Sequence, residues 1–278
     1  MNPLHIHFAD WCAAVIHGDG CFLLSKAGYP FCEITVGEGE EDILHQIKEV
    51  VGGSISPRIS SKSYRWRIHH LHGVAHLLSL VHGRLRLAVR VEQCEKVAQC
   101  LARSPFLKKR GIDLSFLNPP KNTPPEAAPH SVKSSHLPSP LEVEENGWLS
   151  GFFDAEGYFQ VNRTTYQPSI TLSQKREEIL QLVKKELGGR VYFDRSWEGY
   201  LYAASSAEDR QRWFSYLDRY PPRSKKKWER YRQFKEYCPL LRRGDHPLKE
   251  RDWRRDRFFR LLEELCRKKI ESTAPHML

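Results

Sequence analysis

The feature that most constrains this chain is an internal repeat. Asp19 and Glu156 are 137 positions apart, and the second glycines of the two GG pairs, Gly53 and Gly189, are 136 apart. Four elements in the same order with one position of slippage indicate a duplication, so the chain is predicted to contain two related halves. The first copy reads WCAAVIHGDGCFLLSK (Trp11 to Lys26), CEITV, ILHQIKEVVGGSI and SYRWRIHH, and the second reads WLSGFFDAEGYFQVNR (Trp148 to Arg163), PSITL, ILQLVKKELGGRV and GYLYAASS.

The two copies are separated by a proline-rich segment. Residues 118–147 hold seven of the chain's 17 prolines and show no apolar periodicity. This composition is typical of a semi-extended inter-domain linker. We therefore predict an N-terminal half over residues 1–117, a linker over 118–147 and a C-terminal half over 148–278.

Each copy has the pattern helix, strand, strand, helix, strand, strand, helix. In the strands, polar and apolar residues alternate: Arg65, Arg67 and His69 would face one way, and Trp66 and Ile68 the other. One polar face and one apolar face indicate an antiparallel sheet that helices cover on one side only. The predicted fold class is α+β, with two pseudo-symmetric αββαββα halves.

The first helix of each copy is short and strongly apolar, and it carries small residues on one face. These are Ala13 and Ala14 in the first copy and Ser150 and Gly151 in the second. Small residues allow two helices to approach closely, so the two halves are predicted to pack through these helices.

Charge and composition narrow the class of partner. The net charge is +10 with a pI of about 9.3, and the basic residues are interleaved with Trp, Tyr and Phe. This pattern favours a nucleic-acid partner.

A mean hydropathy of −0.58 and the lack of a long apolar run predict no membrane span, and the first residues do not resemble a secretory signal. Seven cysteines without a CxxC pair are interpreted as reduced thiols.

Both short helices end in an acidic residue followed by a glycine. Asp19 and Glu156 occupy the negative end of a helix dipole, where a carboxylate is disfavoured. Two carboxylates brought together in this way need a cation to neutralise them, and oxygen ligands suit Mg²⁺. A nucleic-acid-binding protein that holds a divalent metal is equipped to hydrolyse phosphodiesters.

WLSGFFDAEGYF resembles the motif of LAGLIDADG homing endonucleases, and WCAAVIHGDGCF resembles a degenerate first copy of it. The resemblance covers nearly the whole chain apart from the linker, and it implies a single-chain, monomeric enzyme whose two saddle-shaped sheets straddle duplex DNA. It also implies that Asp19 and Glu156 bind the metal, and that the enzyme cuts a long asymmetric site to leave short 3′ overhangs. Membership of such a family further implies an organellar intron, in a mitochondrion or a chloroplast.

The family tends to place a basic residue near the start of the last helix of each half, in the cleavage centre. SKKKWERY resembles that segment and matches Lys227 to this position, and RLRLAVRVEQC matches Arg90. The first motif departs from the family pattern at Ala14 and His17, where Gly and Asp are usual. His17 is either a cation at the helix end or a neutral buried imidazole.

The exposed faces of the two sheets are the predicted DNA interface, because the major groove admits β-ribbons and offers a full donor and acceptor code. The candidates are Ser25, Arg58, Lys62, Arg65, Arg67, Gln160, Asn162, Arg163, Thr171, Arg190, Tyr192 and Arg195.

Two other functions remain open at this point. A non-cleaving RNA-binding protein on the same scaffold, such as a maturase of a group I intron, would suit the segments KKKWERYRQFKEY and DWRRDRFFRLLEELCRKK. A DNA-binding protein without chemistry is disfavoured because both acidic residues are present.

Overall fold

The structure is a computed structural model, and it describes residues 3–105, 109, 145–241 and 253–267. Most of the predicted linker lies outside the described residues. All seven cysteines lie within them, and none forms a disulfide.

The first half builds one four-stranded antiparallel sheet in the order β1-β2-β4-β3. The hairpin β3–β4 turns through a short 3₁₀ segment, Ile59–Ser61. The elements of this half are α1 (Pro3–Asp19), β1 (Gly20–Leu24), β2 (Pro30–Gly37), α2 (Glu41–Val51), β3 (Ser54–Arg58), β4 (Ser63–Ile68), α3 (Leu71–Val81) and α4 (Ala88–Ala102).

The second half repeats this plan, with a sheet in the order β5-β6-β8-β7. Its elements are α5 (Trp148–Glu156), β5 (Gly157–Val161), β6 (Pro168–Gln174), α6 (Glu178–Leu187), β7 (Arg190–Asp194), β8 (Gly199–Ala204), α7 (Ala207–Arg219), α8 (Lys225–Tyr237) and α9 (Trp253–Arg267). The predicted α+β class and the two antiparallel sheets are confirmed.

The described helices exceed the predicted number, because two helices, α3 and α4, follow the last strand of the first half and three, α7, α8 and α9, follow that of the second. In the first half, α3 and α4 are separated by a turn that contains Gly83, whose φ of 76° ends the helical path. In the second half, Pro221 and Pro222 lie between α7 and α8 and cannot continue a helix. Arg90 lies on α4 and Lys227 on α8, in each case the second helix after the last strand; α8 is not the last helix of its half, as was predicted, because α9 follows it.

The GG pairs end α2 and α6 as predicted. Gly53 and Gly189 have φ angles of 91° and 88°, in the left-handed region that favours glycine. A side chain would also have no room, because a Cβ on Gly53 would lie 2.7 Å from the carbonyl oxygen of Arg67 and one on Gly189 would lie 2.7 Å from the ring of Tyr202.

Packing divides the chain at a different place from the sequence repeat. The two compact units are residues 1–155 and 156–278, so nearly all of α5 packs with the first unit. The physical reason is the close approach of α1 and α5. A Cβ on Gly151 would meet the carbonyl oxygen of Trp11 and lie 2.9 Å from its Cα. Gly151 thus has the role predicted for the small residues, which is to let the two motif helices approach closely.

Each sheet has a core face and an open face. In β4, Trp66 and Ile68 are fully buried, while Arg65 and Arg67 on the opposite face are part-exposed, as the alternation predicted. The same register in β8 buries Tyr202. Residues Phe258, Leu261, Leu262 and Leu265 form the buried face of α9.

Candidate functional site

The acidic residues of the two motifs end their helices. Asp19 is the last residue of α1, and Glu156 is the last residue of α5. Gly20 and Gly157 follow as the first residues of β1 and β5. Both acidic residues are half-buried, at helix ends whose dipole disfavours a negative charge. A cation at either place would relieve this electrostatic cost.

Glu156 has a neighbour that the sequence repeat did not reveal. The Nε2 atom of Gln174 donates a hydrogen bond to the Oε1 atom of Glu156 at 3.0 Å. Gln174 is the last residue of β6, two positions beyond Leu172, which pairs with Gly157. The equivalent residue of the first half is Val36, so the repeat carries no signal for this contact.

Arg90 and Lys227 occupy equivalent places. Each is the third residue of its helix, and each follows the acidic residue of its half by 71 positions. The Nε atom of Arg90 donates to the carbonyl oxygen of His17 at 3.3 Å, so its guanidinium lies at the last turn of α1. The backbone N–H of Lys227 donates to the hydroxyl of the buried helix cap Ser224 at 3.3 Å.

His17 is a neutral buried imidazole, as one of the two sequence alternatives held. Its ring is fully buried and makes edge contacts with Trp148 and Phe152, at centroid distances of 5.0 and 5.5 Å. Burial, with smaller effects from Arg90 and Arg86, lowers the pKa of His17 to about 3. Both ring nitrogens lack a hydrogen-bond partner within the described part of the chain.

Asp154 is the counterpart of His17 in the second motif, and it makes the hydrogen bond that the first motif lacks. Its Oδ2 atom accepts from the indole Nε1 of Trp11 at 2.8 Å, across the α1–α5 contact. Trp148, the counterpart of Trp11, donates instead to the carbonyl oxygen of Arg84 at 2.9 Å.

The open face of the first sheet carries three of its predicted DNA-binding residues: Arg58, Arg65 and Arg67. Ser25 and Lys62 lie in turns. The Ser25 hydroxyl accepts from the backbone N–H of Tyr29, and Lys62 is exposed with a left-handed φ of 44°. Sequence reasoning missed Glu33, which lies beside Arg67 in the register and binds it.

The open face of the second sheet carries Gln160, Arg190 and Tyr192, and Arg195 follows in the exposed turn after β7. Thr171 is corrected. It shares this face by register, but its side chain is only 2% exposed and its hydroxyl donates to the carbonyl of Tyr158. Because Thr171 is buried, it cannot contact DNA in this conformation and is removed from the candidate interface.

The remaining two candidates lie in the β5–β6 loop, where both have structural contacts. The Oδ1 atom of Asn162 accepts from the backbone N–H groups of Thr164 and Thr165, each at 2.9 Å. Arg163 donates to the carbonyl of Cys266 in the last turn of α9 at 3.0 Å. Both side chains remain exposed, so their contacts shape the loop without hiding it.

Two negative results apply to the described ranges. They contain no group of three or more His, Cys, Asp or Glu residues arranged to hold a metal ion. None of the helices they include is both long and apolar enough to cross a membrane.

Comparison with known proteins gives matches to the family that the two motifs resemble. A model of the LAGLIDADG endonuclease family matches residues 149–238. The chain is 28% identical over 228 residues to the intron-encoded RNA maturase bI4 of Saccharomyces cerevisiae, and the match covers 80% of this chain and 31% of the maturase. It is 26% identical over 225 residues to the intron-encoded DNA endonuclease ai2b of Dictyostelium discoideum, covering 78% of this chain and 74% of that protein.

The chain spans about a third of the length of some of these relatives. One is the maturase, and another is the probable intron-encoded endonuclease aI2 of Debaryomyces hansenii, which is 27% identical and of which 32% is covered.

Solved structures confirm the fold. The LAGLIDADG meganuclease I-AabMI, bound to uncleaved DNA, superposes with a TM-score of 0.66 at 23% identity, covering 96% of this chain and 100% of that one. The LAGLIDADG homing endonuclease I-LtrWI, bound to target DNA, superposes with a TM-score of 0.65 at 16% identity, covering 95% and 98%.

Proposed function

We propose that this chain, a two-motif member of the LAGLIDADG endonuclease family, is a site-specific DNA endonuclease. It would hydrolyse both strands of a long asymmetric duplex and leave short 3′ overhangs. The observation that carries the proposal is the repeated pairing of one acidic and one basic residue in each half. Asp19 with Arg90, and Glu156 with Lys227, occupy equivalent elements at the same spacing.

The donor chemistry fits a divalent cation such as Mg²⁺. Asp19 and Glu156 offer carboxylate oxygens, which are the ligands that hard cations prefer. A bound divalent cation would lower the pKa of attacking water and stabilise negative charge on the phosphate. Asp19 and Glu156 would serve as metal ligands, and the amide of Gln174 would orient the carboxylate of Glu156.

The basic residues would act on the phosphate. A guanidinium or ammonium group near the scissile bond stabilises the charge that develops during hydrolysis. Arg90 is held by its bonds to the His17 carbonyl and to Gln93, which fixes its guanidinium at the end of α1. Lys227, at the equivalent place, would serve the second strand.

The open faces of the two sheets would bind the duplex. Their exposed arginines and amide and hydroxyl groups can reach base edges in the major groove, and the basic turns can reach phosphates. One chain carries both halves, so a monomer suffices. Affinity should fall steeply with salt, because each phosphate contact releases counterions.

The place of action that we propose is the organelle of an intron-containing host, a mitochondrion or a chloroplast. The support is that the relatives are named as intron-encoded proteins. The target would then be the DNA sequence into which such an intron inserts.

The test is a cleavage selection with purified protein, Mg²⁺ and a plasmid library. We expect cuts with defined 3′ overhangs at one long site. Glu156→Gln and Asp19→Asn should each slow cleavage on the order of 10³-fold, because the metal supplies several kcal/mol of transition-state stabilisation, while duplex affinity changes little.

The matched control is Glu178→Gln at the start of α6, an exposed residue with the same change of charge. It should cut like the wild type. Cleavage that persists in both Glu156→Gln and Asp19→Asn would show that the centre is assigned to the wrong residues.

RNA binding in the manner of an intron maturase is the second candidate. It is favoured by the relative of that name and by the exposed face of α8, which presents Lys225, Trp228 and Arg232. Basic and aromatic side chains suit phosphates and unstacked bases. Tight metal-independent binding to a structured group I intron RNA, without DNA cleavage under any metal, would select this function instead.

A further inference from the structure

The open face of the first sheet contains a cluster of fixed charges. Glu33 in β2 pairs directly with Arg67 in β4, and Thr35 pairs with Arg65. The Oε2 atom of Glu33 accepts from the Nε and Nη2 atoms of Arg67, at 3.1 and 2.7 Å. The Nη1 atom of Arg65 lies 3.7 Å from the same carboxylate oxygen. One carboxylate thus holds two arginines.

An aromatic ring adds a second constraint on Arg67. Its guanidinium carbon lies 5.0 Å from the centroid of the Phe31 ring, within the range of a cation–π contact. The side chains of Arg65 and Arg67 are nevertheless 31% and 40% exposed, against 21% for Glu33. The arginines are therefore held by these contacts and remain partly accessible to a ligand.

The second sheet has no such charge cluster at the corresponding positions. The positions that correspond by register to Glu33, Arg65 and Arg67 are occupied by Thr171, Leu201 and Ala203. None of these three can carry a charge, and Thr171 is buried. The difference lies in the two middle strands of each sheet, which share the same backbone pairing.

We propose that Glu33 is a positioning residue for sequence recognition by the first sheet. This inference rests on the proposed DNA endonuclease function. An arginine held in one orientation presents its fork of N–H donors to a guanine O6 and N7 without losing further side-chain freedom on binding. The carboxylate also offsets the attraction of the two arginines for phosphates, which would otherwise bind any sequence equally well.

The consequence is an asymmetric target. The half-site read by the first sheet carries guanine opposite Arg65 and Arg67, and these base pairs contribute most of its discrimination. The half-site read by the second sheet depends on its outer residues, among them Arg190 and Tyr192.

The test compares Glu33→Gln with the wild type on two duplexes, in EDTA so that DNA is bound and not cut. One duplex is the target recovered by the cleavage selection, and the other has the same composition in scrambled order. In Glu33→Gln we expect affinity for the scrambled duplex to rise about threefold and affinity for the target to fall about threefold, so that discrimination falls roughly tenfold. The slope of log K against log salt on the scrambled duplex should steepen by about 1, because a released arginine gains a phosphate contact.

A profile of single base-pair changes provides the sharper readout. Loss of preference should be confined to the guanine positions of one half-site. Glu92→Gln on α4 is the matched control, since it removes the same charge from an exposed helix residue, and it should leave the profile unchanged. Phe31→Leu keeps the net charge and should also reduce discrimination, without the change in salt slope.

The role of Glu33 and the proposed endonuclease function can fail separately. A wild-type protein that prefers its target, with a Glu33→Gln variant that discriminates within twofold of it, overturns the role of Glu33 alone. Loss of preference spread evenly over both half-sites would also overturn it, because a general charge effect would then be sufficient. A wild-type protein that prefers no duplex contradicts the proposed function itself.

Discussion

The two motif helices end in the same way, each with an acidic residue before a glycine, but α1 has 17 residues, so it is not short as predicted, whereas α5 has nine. Within the shared motif they differ at one pair of buried positions, His17 and Asp154. Asp154 accepts a hydrogen bond from the indole of Trp11, whereas His17 has two ring nitrogens without partners in the described structure. Burying a polar group costs free energy unless a hydrogen bond compensates for it. The degenerate motif thus keeps the shape of the helix contact and loses one of its polar bonds.

A second difference concerns the surroundings of the two acidic residues. Glu156 is bound by the amide of Gln174, whereas the equivalent residue beside α1 is the buried, apolar Val36. The first half has instead an arginine bonded to the end of its motif helix, Arg90. Duplication preserved the backbone positions, and the side chains around them diverged.

A third difference lies at the close contact of the helices, and it gives the largest expected effect on stability. Gly151→Ala adds a Cβ that would overlap the carbonyl oxygen of Trp11, so the helices must move apart. Helix propensity alone predicts a gain of about 1 kcal/mol for this change, but overpacking should dominate and cost about 3 kcal/mol. Urea unfolding monitored by tryptophan fluorescence measures the net effect.

The reciprocal change provides the control. Ala14→Gly at the equivalent position of α1 should cost only about 1 kcal/mol, since it lowers helix propensity and creates no clash. If Gly151→Ala were as stable as the wild type, the close helix contact would not be part of the folded state.

The second prediction uses His17 and Asp154, whose substitutions should have opposite signs. Asp154→Ala removes the acceptor of the Trp11 indole and should lower the free energy of unfolding by about 2 kcal/mol. His17→Leu replaces a buried imidazole, whose nitrogens are unsatisfied, by an apolar side chain of similar size. It should raise the free energy of unfolding by about 1 kcal/mol.

Both variants can be followed by urea unfolding at neutral pH, where His17 is uncharged. Asp154→Asn retains an oxygen acceptor and should lose less than Asp154→Ala. A destabilised His17→Leu variant would mean that the imidazole has a polar partner in solution, and the contrast between the motifs would then disappear.

The sequence predicted those features that depend on local pattern. Alternation in YRWRI assigned Arg65 and Arg67 to one face and Trp66 to the other, and the GG pairs marked the ends of α2 and α6. The acidic residue at each helix end followed from the motif. Such signals lie within a few residues of one another, so they survive without knowledge of the tertiary fold.

Features that depend on contacts between distant segments could not be predicted from local sequence pattern. The bond between Trp11 and Asp154 joins residues 143 positions apart. Thr171 has the polarity and the register of a DNA-binding residue, and only the packing of its neighbours shows that it is covered. Glu33 was missed because only basic and neutral polar residues were expected to contact DNA, and phosphates repel an acidic side chain.

Gln174 was missed for a different reason, and it supplies the smallest of the expected effects. Because Val36 stands at the equivalent place, comparison of the repeats gives no sign of its contact with Glu156. Gln174→Ala removes the donor that orients this carboxylate, and misplacing a single group should slow single-turnover cleavage about tenfold without weakening duplex binding. The control is Gln181→Ala, which removes an exposed glutamine amide of α6 and should cut at the wild-type rate. If Gln174→Ala cleaved at the wild-type rate, groups other than Gln174 would orient the carboxylate of Glu156. The two acidic residues would then differ less in function than their surroundings indicate.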